Sequence, residues 1–283
     1  MKKLWIPIII LVAIVITAST VQANYETKTS IINKFKSLAS AHPSQASFVT
    51  IGYSPKGTPM LMFRFGNRSV TGVVLWDAQM HGTEDAGSET AYLFCVWLFS
   101  GDTKATYILA HNYILIVPVV DNLLSRVNEN HVNLNRNFPV GWGRSGSSSK
   151  TSDEYRGPSA GSEPETKALI SVFKTYKLKF YINTHMYGGP RIYYHSAIPS
   201  SVITTLKSRL STYGQTYGGN PTNTNGWTRM SGGGFAIATA ESYGPYSFLW
   251  EIGGTTRPSL STVTTKYYKE TRCFLIAVCS MCG

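Results

Sequence analysis

The chain has 283 residues, of which 43% are hydrophobic and only 14% are charged, and its formal net charge is +11. So little charge excludes a disordered polar chain, and this length is sufficient for one large hydrophobic core. The basic residues are scattered rather than clustered. This argues against a nucleic-acid groove and for a weakly positive surface that attracts anionic polymers.

The first 23 residues differ in composition from the rest. Lys2 and Lys3 precede an almost wholly apolar run at residues 4–16, and small residues around Ala23 suit cleavage. This pattern predicts a secretory signal peptide at residues 1–23, so that a secreted domain begins at Asn24. The alternative is an uncleaved membrane anchor, but the apolar run is shorter than the about 20 residues of a spanning helix. No stable membrane association is therefore expected after cleavage.

Apolar periodicity predicts the elements of the first half of the chain. A helix is expected at residues 24–41, where Asn24 can cap the start. A turn at Pro55-Lys56-Gly57 separates two short strands. The later elements are more apolar and therefore more deeply buried. The predicted strands are 48–51, 59–65, 73–76 and 113–120, and the predicted buried helix is 86–99.

A long polar stretch at residues 121–162 separates the two halves, and a loop of this length within one domain is usually functional. Ser162-Glu163-Pro164-Glu165 is a capping-box pattern and predicts a helix to about Tyr176. A later helix from Val202 is predicted to stop at Gly214. The other predicted elements are strands at 179–184, 192–194 and 246–252, a loop at 218–234 and a helix at 263–278.

Alternation of apolar strands with helices predicts the α/β fold class, with a mixed, mostly parallel central sheet and helices on both faces. Residues 24–283 show no internal repeat and no interdomain linker, so one domain is expected. An exported chain can form disulfides, and the cysteines allow three pairings. Asn67-Arg68-Ser69 is a glycosylation sequon. The cysteines are Cys95, Cys273, Cys279 and Cys282.

Residues with metal-ligand, acid–base or electrophile chemistry follow or end four predicted strands: His81, Arg126, His185 and Glu251. In open α/β sheets, sites collect outside the carboxyl ends of the strands. Glu84 lies three residues after His81, and imidazole and carboxylate are ordinary ligands of a catalytic zinc. A histidine after a strand is more often structural, but a carboxylate inside an apolar strand, such as Glu251, needs a partner.

Six short motifs extend this pattern along the chain. They are His81-x-x-Glu84, Arg126-x-Asn128, Leu134-Asn135-Arg136-Asn137-Phe138, Ser162-Glu163-Pro164-Glu165, His185-Met186-Tyr187-Gly188 and Tyr246-Ser247-Phe248-Leu249-Trp250-Glu251. In this order they resemble the zinc carboxypeptidase family typified by the pancreatic carboxypeptidases, and the His-Gly-x-Glu variant resembles its microbial members. The similarity runs from about Asn24 to the C terminus and implies the carboxypeptidase-like α/β/α fold.

The resemblance also implies the catalytic roles. One zinc ion per chain is expected, held by His81, Glu84 and His185. Glu251 matches the general base and acid. Arg126 matches the arginine that polarises the scissile carbonyl.

Substrate-binding roles follow in the same way. Asn135 and Arg136 match the anchors of the substrate's terminal carboxylate, which suits the planar fork of a guanidinium. Tyr187 is a further expected substrate contact.

Three positions depart from the family pattern. Thr83 replaces an arginine, which implies weaker contacts in the extended subsites. Arg229 falls where the mobile substrate-capping tyrosine is expected. Ala236 falls at the position that sets side-chain preference and is neither acidic nor bulky, so neutral or apolar ends are expected.

The expected function is a secreted zinc metallocarboxypeptidase that removes the C-terminal residue of peptides. Its expected partner is a peptide with a free C-terminal carboxylate, without nucleic acid, and the chain is expected to be a monomer. One alternative is a peptidase of cell-wall peptides that cuts beside D-residues or diaminopimelate, which the positive surface suits. Another is a non-catalytic binding module on the same fold.

Overall fold

A computed structural model describes residues 24–189, 191–219, 226–230 and 233–282. The predicted signal peptide lies outside these ranges. Within them, no helix combines the length and the apolar character needed to cross a membrane. The helices are α1 (Lys28–Ala41), α2 (Ala86–Leu98), α3 (Thr103–His111), α4 (Pro164–Thr175), α5 (Ser200–Tyr217), α6 (Ala236–Glu241), α7 (Leu260–Thr262) and α8 (Tyr268–Cys279). The strands are β1 (Ala46–Tyr53), β2 (Pro59–Gly66), β3 (Val73–Asp77), β4 (Tyr113–Val117), β5 (Leu178–Met186), β6 (Arg191–His195), β7 (Trp227–Met230) and β8 (Tyr246–Ile252).

The described strands form one sheet in the order β1-β2-β4-β3-β5-β8-β6-β7. Its four central strands, β4, β3, β5 and β8, all run parallel. The β1–β2 and β2–β4 pairs are antiparallel, as is the β6–β8 pair, whereas β7 is parallel to β6. The predicted mixed, mostly parallel sheet is confirmed. The carboxyl ends of the four central strands consequently meet at one edge.

Alternate residues of the central strands enter two hydrophobic cores, one on each face of the sheet. In β3, Val74 and Trp76 enter the first core, whereas Val73 and Leu75 enter the second. The first core is covered by α1, α2, α3, α5 and α8, and the second by α4 and α6. Because both faces are covered, the central strands are continuous apolar runs rather than alternating ones.

Two predicted helix ends were wrong. α1 begins at Lys28 rather than Asn24, because Thr27 is the N-cap and its side chain accepts the N–H of Ser30. α5 continues past Gly214 and ends at Gly218, whose φ of 74° is left-handed. That backbone conformation, which glycine adopts without strain, ends the helix. The predicted capping box does not form either: the N-cap of α4 is Glu163, and it makes no side-chain cap. Its carboxylate instead accepts bonds from the side-chain amides of Asn128 and Asn130 at 2.9 and 2.8 Å.

Three short elements were not predicted. α3 begins after Asp102, whose carboxylate accepts the backbone N–H groups of Lys104 and Ala105 at 2.7 and 3.1 Å. β7 lies within the predicted 218–234 loop, and α6 follows it. Both have only a few residues, so neither presents enough periodicity to be recognised from the sequence.

The four cysteines are buried free thiols, so none of the three disulfide pairings considered is present. Burial raises the pKa of each thiol, and that of Cys282 to about 12. Asn67 is exposed, and its side-chain amide donates to the carbonyl of Ala110 at 3.1 Å.

Candidate active site

The candidate metal ligands come from two neighbouring parallel strands. The turn after β3 carries His81 and Glu84 before α2 begins, and β5 carries His185 near its carboxyl end. The donor atoms of the three side chains lie within 4.8 Å of one another. The side chains are only 2–3% exposed. Among the described residues, no second group of this kind occurs.

Two glycines allow the backbone to approach this group closely. A Cβ atom on Gly82, in the turn between the first two ligands, would lie 1.5 Å from the carbonyl oxygen of Leu123. A Cβ atom on Gly188 would lie 2.5 Å from Cδ of Glu251. No other residue fits at either position without a shift of the surrounding backbone or carboxylate.

Glu84 lies between the two imidazole rings. Its Oε1 atom is 2.8 Å from Nδ1 of His81, and its Oε2 atom is 2.8 Å from Nδ1 of His185. On the far side of each ring, Nε2 meets a side-chain amide oxygen: Asn133 Oδ1 at 3.0 Å and Asn183 Oδ1 at 2.7 Å. An amide oxygen can only accept, so each Nε2 carries a proton. At His185 the 2.7 Å contact with Asn183 decides this over the longer, 3.2 Å contact with Nδ2 of Asn135. Each neutral ring therefore directs the lone pair of Nδ1 at the carboxylate.

A lone pair 2.8 Å from an ionised carboxylate is unfavourable unless a cation lies between them. A proton on His185 is not favoured as that cation, because burial lowers the pKa of His185 more than the neighbouring Glu84 carboxylate raises it. Two neutral imidazoles and one carboxylate, held by outer amides, fit a zinc ion.

Glu251 lies on β8 directly opposite His185 on β5. Its Oε2 atom accepts the backbone N–H of Gly188 at 3.1 Å. Burial, followed by the negative charge of Glu84, raises the pKa of Glu251 to about 8, against the lowering effects of Gly188 and Arg126. A carboxyl group with a pKa in this range can take up and return a proton near neutral pH.

Two arginines lie beside the group and share one carboxylate. Arg126, on the loop after β4, places Nη1 3.4 Å from Nδ1 of His81 and 3.7 Å from Oε1 of Glu84. Its Nε and Nη2 atoms donate to Oε1 of Glu154 at 2.9 and 2.6 Å. Arg136 places Nη2 2.8 Å from Oε2 of the same Glu154.

The neighbouring Asn135 and Arg136 belong to a 3₁₀ turn, Leu134–Arg136. The Nδ2 atom of Asn135 lies 3.2 Å from Nε2 of His185, and its Oδ1 atom accepts the N–H of Ala236 at 3.1 Å. The guanidinium of Arg136 stacks 4.8 Å from the ring centre of Phe235 and donates to the carbonyl of Asn135 at 2.9 Å. Both polar side chains line the same cleft as the metal-ligand group.

Arg229 and Ala236, two of the expected substrate-binding residues, are not among the residues that line this cleft. Arg229 is exposed on β7, and the adjacent Met230 lines the cleft instead, because neighbouring strand residues face opposite sides. Ala236 is fully buried at the start of α6, and Phe235 before it lines the cleft. The wall is completed by Tyr193 and Leu249.

Tyr187 and Thr83 lie next to the ligands in sequence. Tyr187 is 37% exposed, and its φ of 74° is unusual for a residue with a side chain. Thr83 is partly buried, between the two ligands of the first motif.

Sequence analysis did not identify Asn133, Asn183 or Glu154. Asn183 precedes His185 by two residues on one strand, so the two share a face of the sheet, and this spacing was an available signal. Asn133 and Glu154 lie in the long polar loop, where no periodicity marks them.

A family model described as zinc carboxypeptidase matches residues 31–272, and the chain belongs to this family. Carboxypeptidase A6 of Homo sapiens is 26% identical over 271 residues, which cover 82% of this chain and 60% of that protein. Mast cell carboxypeptidase A of Mus musculus is 27% identical over 196 residues, covering 59% of this chain and 46% of that protein. The chain thus spans about 60% or less of the length of these relatives.

Solved structures share the fold. Bovine thrombin-activatable fibrinolysis inhibitor, in complex with tick carboxypeptidase inhibitor, has a TM-score of 0.71 at 22% identity, covering 92% of this chain and 97% of that one. The murein-tripeptide amidase MpaA from Escherichia coli O157 has a TM-score of 0.54 at 18% identity, covering 82% and 92%. The predicted zinc carboxypeptidase family is confirmed, and the predicted ligands His81, Glu84 and His185 group as a possible metal site.

Proposed function

We propose that this protein is a secreted metallocarboxypeptidase that hydrolyses the last peptide bond of peptides with a free C terminus. The observation that carries the proposal is one cleft that holds His81, Glu84 and His185 beside Glu251, with Arg136 in the same wall. Secretion is inferred from residues 1–23 alone.

The residues of the cleft divide the reaction between them. His81, Glu84 and His185 would hold a zinc ion, which would supply Lewis-acid chemistry for the scissile carbonyl and offset the effect of the Glu84 charge on Glu251. Glu251 takes a proton from the attacking water and returns it to the leaving amine. Nη1 of Arg126 lies 3.4 Å from Nδ1 of His81 and 3.7 Å from Oε1 of Glu84, so this guanidinium is within reach of negative charge that develops on the carbonyl oxygen.

End recognition is assigned to Asn135 and Arg136. Arg136 is largely buried, stacks on Phe235, and presents a planar fork that matches a carboxylate. The adjacent wall of Tyr193, Met230 and Leu249 bears no charge. A neutral or apolar C-terminal residue is therefore the preferred substrate end.

The test compares free and amidated peptides that end in Phe, Leu, Lys, Glu or diaminopimelate, with zinc-loaded enzyme and its Glu251→Gln variant. Charge-assisted bonds contribute about 1.5–3 kcal/mol each, so amidation should lower kcat/KM by about two orders of magnitude or more. Arg136→Ala should lose that distinction. Equal cleavage of free and amidated ends would refute the carboxylate anchor. Fast release of Lys would refute the apolar pocket, and release of diaminopimelate alone would favour a cell-wall peptidase.

A further inference from the structure

The single carboxylate of Glu154 forms ion pairs with both arginines of the cleft. Its Oε1 atom accepts two bonds from Arg126, at 2.9 and 2.6 Å, and its Oε2 atom lies 2.8 Å from Nη2 of Arg136. Charge-assisted hydrogen bonds of this kind are shorter and stronger than neutral ones. The chain thus presents to Arg136 the same chemical group as the end of a peptide substrate.

The backbone beneath Glu154 is fixed, whereas its side chain has an exit to solvent. The carbonyl of Glu154 accepts the N–H of Ser147 at 2.7 Å, and the N–H of Arg156 donates to the carbonyl of Ser147 at 3.0 Å. The side chain of Glu154 is 39% exposed, against 16% for Arg136. Exchange of this carboxylate for another therefore requires a side-chain rotation and no loop opening.

The charge state of Glu154 suits this exchange. Burial alone would raise its pKa, but Arg136 and Arg126 more than offset the effect and hold the pKa below its usual value. Glu154 is therefore an anion at neutral pH. It competes with any other anion that approaches the same guanidiniums.

We propose that Glu154 is an internal competitor for the substrate's terminal carboxylate, and that its displacement couples recognition of the chain end to release of Arg126. This inference rests on the proposed function, in which Arg136 anchors the chain end. A terminal carboxylate that binds Arg136 takes one partner of Glu154 and weakens its hold on Arg126. Arg126 is then free to face the scissile carbonyl. A peptide without a terminal carboxylate leaves Glu154 in place and Arg126 engaged.

The binding test uses the full chain with zinc in a Glu251→Gln background, so that the probe is not cleaved. The probes are N-acetyl-Leu-Phe and its C-terminal amide, titrated by calorimetry. If Glu154 holds Arg136 about nine-tenths of the time, its removal should strengthen binding of the free acid about tenfold. Glu154→Gln and Glu154→Ala should both show this gain, with no change for the amide. Asp153→Asn, which removes the exposed neighbouring charge, is the matched control and should show no gain.

Unchanged or weaker binding of the free acid in both Glu154 variants would overturn the inference. Arg136→Ala separates this failure from that of the proposed function. If Arg136→Ala weakens binding of the free acid but the Glu154 variants do not strengthen it, only the competitor role fails. If Arg136→Ala changes nothing, the carboxylate anchor itself fails.

A kinetic measurement tests the coupling. With Glu251 intact, Glu154→Gln should raise kcat for the amidated peptide, because Arg126 no longer depends on the terminal carboxylate for its release. A kcat for the amide equal to that of the unsubstituted enzyme would refute the coupling.

Discussion

Asn183 joins His185 to Asp77. Its Oδ1 atom lies 2.7 Å from Nε2 of His185, and its Nδ2 atom donates to Oδ1 of Asp77 at 2.6 Å. Asp77 also accepts the hydroxyl of Tyr181 at 2.6 Å and is completely buried. The amide thereby fixes the ring orientation and tautomer of a metal ligand, as outer-sphere partners of metal-bound histidines commonly do.

Replacement of Asn183 by alanine should weaken zinc binding by about 10–100-fold, because His185 loses the acceptor that orients its ring. Competition with a chelator measures the affinity without reference to turnover. Tyr181→Phe is the matched control, since it removes the other bond to Asp77 and leaves Asn183 in contact with His185. Equal zinc affinity in Asn183→Ala and the unsubstituted chain would show that the amide has no such role.

Loss of a metal ligand should weaken zinc binding more than loss of Asn183 does. His185→Ala and His81→Ala each leave two of the three protein ligands, and purified protein should lose its single equivalent of zinc. Metal analysis after dialysis provides the measurement. Stoichiometric zinc in a chain that lacks both histidines would place the metal elsewhere.

Glu251→Gln should retain zinc while kcat falls by about 10²–10⁴-fold, since an amide cannot accept the proton. Glu241 offers the matched control. Burial raises its pKa to about 7, but its carboxylate accepts the N–H of Ser247 at 3.0 Å, and it is not among the residues that line the cleft. Glu241→Gln should therefore leave kcat nearly unchanged, and the reverse ranking would exchange the roles of the two carboxyl groups.

Stability should fall as the pH rises from about 4.5 to about 7. Glu165 on α4 is fully buried, and burial, aided by the charges of Asp121 and Glu163, raises its pKa from 4.5 to about 7 against the bonds from Asn128. In this range the folded chain keeps a proton that the unfolded chain releases, so unfolding becomes more favourable as the pH increases.

Glu165→Gln removes this titration. Its free energy of unfolding should vary less between pH 4.5 and 7, by about 2–3 kcal/mol. Denaturant melts at several pH values give the comparison. Parallel curves for the two proteins would mean that Glu165 is ionised in the fold throughout.

The sequence predicted the parts of the site that depend on local patterns. His81 and Glu84 are three residues apart, and Glu251 interrupts an apolar run that became β8 with the predicted bounds. These signals are local because one turn or one strand determines them.

Contacts between distant residues were not predictable in this way. Asn133 contacts His81, which lies 52 positions away in the sequence. The role of Asn183 is apparent only when the fold brings it beside Asp77, 106 positions away. Glu154 reaches both arginines from a loop whose path no periodicity describes. Arg229, expected at the substrate-capping position, and Ala236, expected to set side-chain preference, do not line the cleft. Their neighbours Met230 and Phe235 do, because strand alternation and the start of α6 depend on tertiary pairing.

The buried thiols make local opening of the folded chain measurable by cysteine labelling. Cys95 lies in α2, and Cys273 and Cys279 lie in α8. Cys282 packs closely against Gly72, where an added Cβ atom would lie 2.7 Å from Cβ of Cys282. Thiolates carry the reactivity of cysteine, and these groups are both protonated and shielded while the fold is closed. Alkylation therefore proceeds only through transient opening, and the labelling rate at each sulfur reports how often that helix or the C-terminal turn detaches from the sheet.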